Sequence, residues 1–195
     1  MKRILAIGAH FDDVEMGCGG SLLLHHDRGD EITIAVLCSD DTYGGDIIVR
    51  LKEQQQVKDI LGANIILGNS TDSTKKIISG LDQVDPDVIY LPFRTDYHQD
   101  HRKVNILGMS VARKMRSDVL QYFVSSSYDY YPNVFRRIDF KRKMELFNVY
   151  QSQIQRRPEY HQIMQRMNEF HASLIGERQP GMGVEGFYVH RMVIE

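Results

Sequence analysis

Near the start of the chain, the stretch GAHFDDVEMGCGG (8–20) sets His10, Asp12 and Asp13 directly after the apolar run ILAIGA. Much later, DYHQDH (96–101) brings the same residue types back. A hydrolytic zinc site needs three protein ligands and one open position. Imidazole and carboxylate suit Zn2+, and Fe2+, Mn2+ or Co2+ could occupy a similar site. His10 and Asp13 are spaced so that a tight turn can aim both at one ion, and His101 can supply the third ligand from the second stretch. Asp12 sits next to a ligand but is directed elsewhere, placed to take a proton from water. His98 precedes His101 and could face the open position to stabilise a developing oxyanion. Asp100 could hold the His98 ring in one orientation. Taken singly, a DD pair reads as a turn or cap and HxxH as incidental; what gives them weight is where they fall on the fold.

Short apolar runs alternate with segments of helical period. Strands are expected at 3–9, 31–39, 63–68, 87–93 and 118–126, and helices at 19–29, 46–62, 73–83 and 100–116. Two further helices are expected at 136–154 and 158–176, and a last strand at 186–194. This is the pattern of an α/β protein: a three-layer, Rossmann-like fold with a mainly parallel sheet and helices on both faces. No repeat or linker interrupts residues 1–195, so a single domain is expected. In open parallel sheets ligands bind beyond the carboxyl ends of the strands. His10, Asp12 and Asp13 follow the first strand, Asp40 the second, Asp72 the third, and His98 to His101 the fourth. All fall on one edge of the sheet.

Composition excludes several classes. The 195 residues are 42% hydrophobic and 26% charged with a net charge of −2, which speaks for a globular chain and against a general nucleic-acid binder. No apolar run is long enough to span a membrane. MKRILAIGAH starts basic like a signal peptide, but its apolar part is too short and the acidic pair follows at once. Cys18 and Cys38, the only cysteines, lie beside apolar runs and read as buried thiols, so a reducing, cytoplasmic setting is expected.

AHFDDVE (9–15) followed by HQDH (98–101) resembles the AHPDD and HxDH signature of the LmbE-like, or PIG-L-type, zinc-dependent de-N-acetylases. These remove acetyl groups from N-acetylglucosamine-containing compounds. RLKEQ (50–54) is similar to the family's RxxE helix start, LGNSTD (67–72) to its loop after the third strand, RIDFKRKMELFNVYQSQ (137–153) to a later helix, and VEGF (184–187) to its AEAF. The resemblance implies zinc held by His10, Asp13 and His101, Asp12 as general base and then acid, and His98 as oxyanion stabiliser. It also implies substrate contacts from Arg50 and Asp72, a small amino-sugar substrate, and a homo-oligomer as an option. Phe11 replaces the usual proline, so packing rather than a ring must hold that turn. SDDTYGGD (39–46) departs from the family pattern, and its Asp40, Asp41 and Asp46 are expected to make one side of the pocket more acidic.

Two other enzymes compete. DYHQDH nearly spells the HxHxDH of binuclear metallo-β-lactamase-like hydrolases, with Asp96 where the first histidine should stand, but that fold is rich in consecutive strands. A metal-dependent nucleotide-sugar glycosyltransferase would use the DD pair yet leave His10 and His101 idle. A silent sugar-binding module would have no use for Asp12 and His98. Elsewhere, GCGG (17–20) reads as close backbone packing, RRIDFKRK (136–143) as a solvated face, and YDYYPNVF (128–135) as a sugar-stacking or capping cluster. His25 and His26 read as surface residues; His161, His171 and His190 fit no ligand spacing.

Overall fold

The computed structural model describes residues 1–192. Five strands form a parallel block: β1 (Arg3–Gly8), β2 (Glu31–Val36), β3 (Asn64–Leu67), β4 (Val88–Pro92) and β5 (Asp118–Tyr122). Two antiparallel strands, β6 (Val134–Asp139) and β7 (Met182–Arg191), extend it to seven in the order β3-β2-β1-β4-β5-β7-β6. Successive side chains of a strand point to opposite faces, and both faces of β1 are covered. Ile4 and Ala6 enter a core with α1 (Asp13–Asp27), α2 (Ile47–Leu61), α5 (Phe140–Phe147) and α7 (Glu159–Leu174). Leu5 and Ile7 enter a second core with α3 (Thr74–Asp82) and α4 (Gln99–Ala112). The three-layer α/β reading of the sequence holds. Among the described residues no helix is long and apolar enough to cross a membrane.

Local chemistry sets the helix ends. Asp46 accepts the amides of Ile48 and Val49 at the start of α2, and Gly62 closes that helix at φ 58°, as its place after the last apolar residue leads one to expect.

Three segments differ from the sequence reading. The expected helix over 136–154 is instead β6, α5 and α6 (Gln151–Arg156). RRID is extended because it pairs with β7, a tertiary contact that no local pattern announces. The helix expected from residue 19 begins at Asp13, and GCGG lies inside it. Glycine disfavours a helix interior by about 1 kcal/mol, but here packing requires it. A Cβ on Gly17 would sit 2.0 Å from the Tyr122 ring, and one on Gly20 2.4 Å from Ile138. Lastly, the final strand begins at Met182, and residues 193 and 194 of the expected span lie outside the described residues.

Helix α1 breaks at Cys18 (φ −138°, ψ 17°), leaving amides beyond the break without their usual partners. Glu185 on β7 accepts from Gly20 N and Ser21 N at 2.9 and 2.8 Å, and Lys143 on α5 pairs with it at 2.7 Å. Lys143 and Glu185 are both buried, so the basic run 136–143 is not simply a solvated face. His25 is buried too, against Asp30 and Tyr90, rather than on the surface. Cys18 and Cys38 are free buried thiols.

Candidate active site

β1 has β2 on one side and β4 on the other, so the chain reverses its winding direction between β1 and β4. The loops leaving such neighbours diverge and open a crevice. His10 and Asp12 lie in the loop after β1 with Asp13 opening α1, and His98 ends the loop after β4 with Asp100 and His101 in the first turn of α4.

The first loop is a strained turn. Asp12 adopts φ 98°, ψ −24°, a conformation uncommon for a side-chain-bearing residue. Asp13 holds it there: its Oδ2 accepts the amides of Ala9 at 3.0 Å and His10 at 2.8 Å. Phe11 is packed into the core with the Arg50 guanidinium 5.3 Å above its ring, which supplies the restraint the missing proline would have given. Asp12 stands at the N-cap of α1, but its carboxylate does not cap the helix and faces the crevice instead.

In the second loop, His98 caps α4 by accepting the amide of Asp100, and His101 lies one turn on, on the same face. The three imidazoles converge. Ring centroids lie 4.7 Å apart for His10 and His98, 4.8 Å for His98 and His101, and 5.4 Å for His10 and His101. One nitrogen from each falls within 4.8 Å of the others. Asp13 Oδ1 is 3.3 Å from Nε2 of His101, which is buried and lacks a hydrogen-bond partner. Its Nδ1 lies 3.1 Å from Asp96 and 3.2 Å from the Ser126 hydroxyl.

Asp96 is wholly buried and accepts hydrogen bonds from His98 N, Ser126 and Ser127. The sequence reading treated it as a misplaced ligand of another fold and missed its contact with His101. The available signal is an aspartate within five residues of two histidines. The Asp100 carboxylate lies 3.2 Å from His10 Nε2 and 3.8 Å from His98 Nδ1, so its closer imidazole is His10, while its main-chain amide engages His98.

The remaining expected contacts divide. Arg50 lines the crevice but is buried, donating to the carbonyls of Phe11 and Asp41. Asp72 does not line it; half-buried, it pairs with Lys76 at 2.6 Å. Of the acidic loop, only Asp41 approaches the site, 4.0 Å from His10. Asp40 is bound to Ser70, and Asp46 caps α2. The 128–135 aromatics stand outside the crevice: Tyr128 stacks on Tyr97, and Tyr130 bonds the Gln121 and Gly186 carbonyls.

Burial pushes Asp12 well above the usual carboxylate range, and the neighbouring Asp13 adds to it. Burial pushes Asp13 the same way, but His101 and His10 outweigh it and hold Asp13 well below that range. Burial opposes charge on His101, yet Asp13 and Asp96 raise it to about 10. His98 is lowered by burial and by the other two imidazoles. Two buried carboxylates thus call for positive charge at His101. A divalent cation meets that demand, and the unpartnered Nε2 beside Asp13 and His10 provides donors of the type transition metals take. The donor set fits a metal. The crevice encloses about 450 Å3, with these groups at its base.

Comparison with known proteins agrees. Residues 5–112 match the PIG-L family, described as GlcNAc-PI de-N-acetylase. The chain is 31% identical over 166 residues to the uncharacterized deacetylase YaiS of Escherichia coli K12, covering 76% of this chain and 86% of that protein. Its fold is similar to the N,N'-diacetylchitobiose deacetylase of Pyrococcus horikoshii (TM-score 0.80, 21% identity, 96% of this chain and 83% of that one). It is also similar to GalB, the 4-carboxy-2-hydroxymuconate hydratase of Pseudomonas putida KT2440 (TM-score 0.79, 16% identity, 100% and 98%). One fold carrying two reactions shows that architecture alone does not name the chemistry. The family match over more than half the chain does: this chain belongs to the PIG-L, or LmbE-like, deacetylase family and is an amide-hydrolysing enzyme.

Proposed function

We propose that the protein hydrolyses the acetamide of an N-acetylated amino sugar, an N-acetylglucosamine derivative, releasing acetate and a free amine. The observation that carries this reading is the convergence of His10, Asp13, His98 and His101 at the base of a crevice, with the Asp12 carboxylate beside them and free of any helix cap. The name of the P. horikoshii relative supports a sugar substrate.

His10, Asp13 and His101 would hold the metal, with Zn2+ the ion of choice. Asp13 brings the negative charge that a dication needs, whereas His98 is half exposed on the solvent side. When bound, such an ion lowers the pKa of water toward neutrality and polarises a carbonyl. Asp12 takes the proton from the attacking water; its raised pKa makes it a stronger base than an ordinary aspartate. His98 stands where it can donate to the oxyanion that forms from the amide carbonyl. The proton held by Asp12 then passes to the departing nitrogen, breaking the carbon–nitrogen bond. Asp100, against His10, is a positioning residue, and Arg50 ties the loop of Asp41 to the turn of Phe11 at the wall of the site. Asp72, the other substrate contact the resemblance implies, is not among the residues lining the crevice and pairs with Lys76. Two unpaired buried thiols support a reducing, cytoplasmic setting.

The test is release of primary amine by zinc-loaded protein from N-acetylglucosamine, its glycosides and diacetylchitobiose. Release that stops with chelator and returns with zinc is expected; silence across the panel overturns the reading. Metal stoichiometry checks the ligand set: Asp13→Ala should lose the ion and His98→Ala keep it. The reverse pattern would exchange the two roles.

A further inference from the structure

We infer that a small cavity behind the crevice wall is a binding site for one water molecule, which bridges Nε2 of His171 to Oδ1 of Asn168 and secures α7 in its seat. The site does not depend on the reaction assigned to the crevice.

The cavity lies where α1, α7 and β7 meet and encloses about 20 Å3. A buried water needs roughly 10–15 Å3 and about two to four polar partners, whereas cavities that stay dry are apolar. This one has the room for a single water, and its lining combines Met16, Ile163 and Met167 with the polar Asn168, His171 and Lys143.

Two of those polar side chains are left incomplete. His171 is 4% and Asn168 6% exposed, yet among the described residues Nε2 of the one and Oδ1 of the other have no hydrogen-bond partner. Turning the groups over does not help. The Asn168 amide nitrogen donates to the Met164 carbonyl at 2.9 Å, one turn back on α7, so exchanging its O and N would set two oxygens against each other. His171 accepts the Gly186 amide at Nδ1, 3.1 Å away, and burial keeps the ring neutral, so its one proton sits on Nε2. The cavity thus presents a donor without an acceptor and an acceptor without a donor, an arrangement that folded proteins rarely leave unmet. One water answers both: its oxygen accepts from Nε2, and one of its protons goes to Oδ1. The Lys143 ammonium, which gives one of its three donors to Glu185 at 2.7 Å, can supply a third bond.

The place of this water ties it to the crevice. Asn168 and His171 share one face of α7, the helix whose Tyr160 and Ile163 line the crevice, and Met16 and Ile163 border both spaces. A Cβ on Gly186 would stand 3.0 Å from the His171 ring, so the gap cannot close by drawing α7 nearer to β7.

The experiment is a high-resolution crystal structure of the full chain and of Asn168→Leu, with equilibrium unfolding of both and NMR of the wild type. The wild-type structure should show one ordered water within hydrogen-bond distance of both Nε2 and Oδ1. In solution the His171 Nε2 proton should give a nuclear Overhauser effect to a long-lived water. In Asn168→Leu that water should be lost and the unfolding constant should rise about tenfold, because the buried donor of His171 is left unmet. An empty cavity in the wild type, a water that touches only one of the two atoms, or a water that survives Asn168→Leu unmoved overturns the site. An unfolding constant unchanged by the substitution overturns its role in securing α7. The wild-type density and NMR decide the site even if the variant does not fold.

Discussion

The buried carboxylate of Asp96 lies 3.1 Å from Nδ1 of His101, which leaves Nε2 of that ring as the nitrogen facing Asp13 and the crevice. A carboxylate behind a ligating imidazole fixes its orientation and raises its basicity, and loss of such a partner typically costs 10–100-fold in metal affinity. Asp96→Ala should therefore weaken zinc binding by about that factor, and Asp96→Asn by less, read by competition with a chromophoric chelator. Unchanged affinity in Asp96→Ala would remove Asp96 from the site.

Asp12→Asn separates metal binding from proton transfer. Zinc stoichiometry should be unchanged while kcat falls on the order of 10²-fold or more. The same change should raise the melting temperature of the metal-free protein. It removes a carboxylate that burial and Asp13 make costly to ionise, and asparagine tolerates the positive φ of this turn. A variant that keeps full activity would take Asp12 out of the reaction.

Lys143 and Glu185 test the break in α1. Lys143→Met leaves Glu185 buried and charged, a defect that costs about 3–5 kcal/mol. The double variant Lys143→Met with Glu185→Gln should recover much of this, because glutamine still accepts from Gly20 or Ser21. Chemical denaturation of the four proteins of the cycle measures the coupling. Additive losses would mean that the pair does not act as a unit.

His171 predicts a pH dependence away from the crevice. Burial lowers its pKa to about 4, while its Nδ1 accepts the Gly186 amide. Its folded pKa lies below its unfolded value, so the unfolded state binds the proton first as pH falls. Stability is therefore full above about pH 6.5 and declines toward pH 4, by about 3 kcal/mol from this residue. His171→Gln keeps an acceptor but cannot titrate. The stability of wild type relative to this variant should shrink between pH 7 and pH 4.5; a constant difference would clear His171.

What the sequence could show depended on how local each feature is. His10, Asp12, Asp13 and His101 were legible because each follows an apolar run that can only be a buried parallel strand, and such strands end on one edge. Helix α2 was legible from Asp46 and Gly62, which act within a few residues of themselves. Asp72 shares that edge in sequence but follows β3, the outermost strand, two places from the β1–β4 crevice; strand order, not sequence, sets that separation. Strand β6 was illegible because its extended form depends on pairing with β7, almost fifty residues later in the chain. The same holds for the contact of Asp96 with His101 and the burial of Lys143 by Glu185. Residue type and short spacing announce which groups can do chemistry. Which of them meet, and which side chains hold them in place, is decided by long-range packing, because only the folded chain sets those distances.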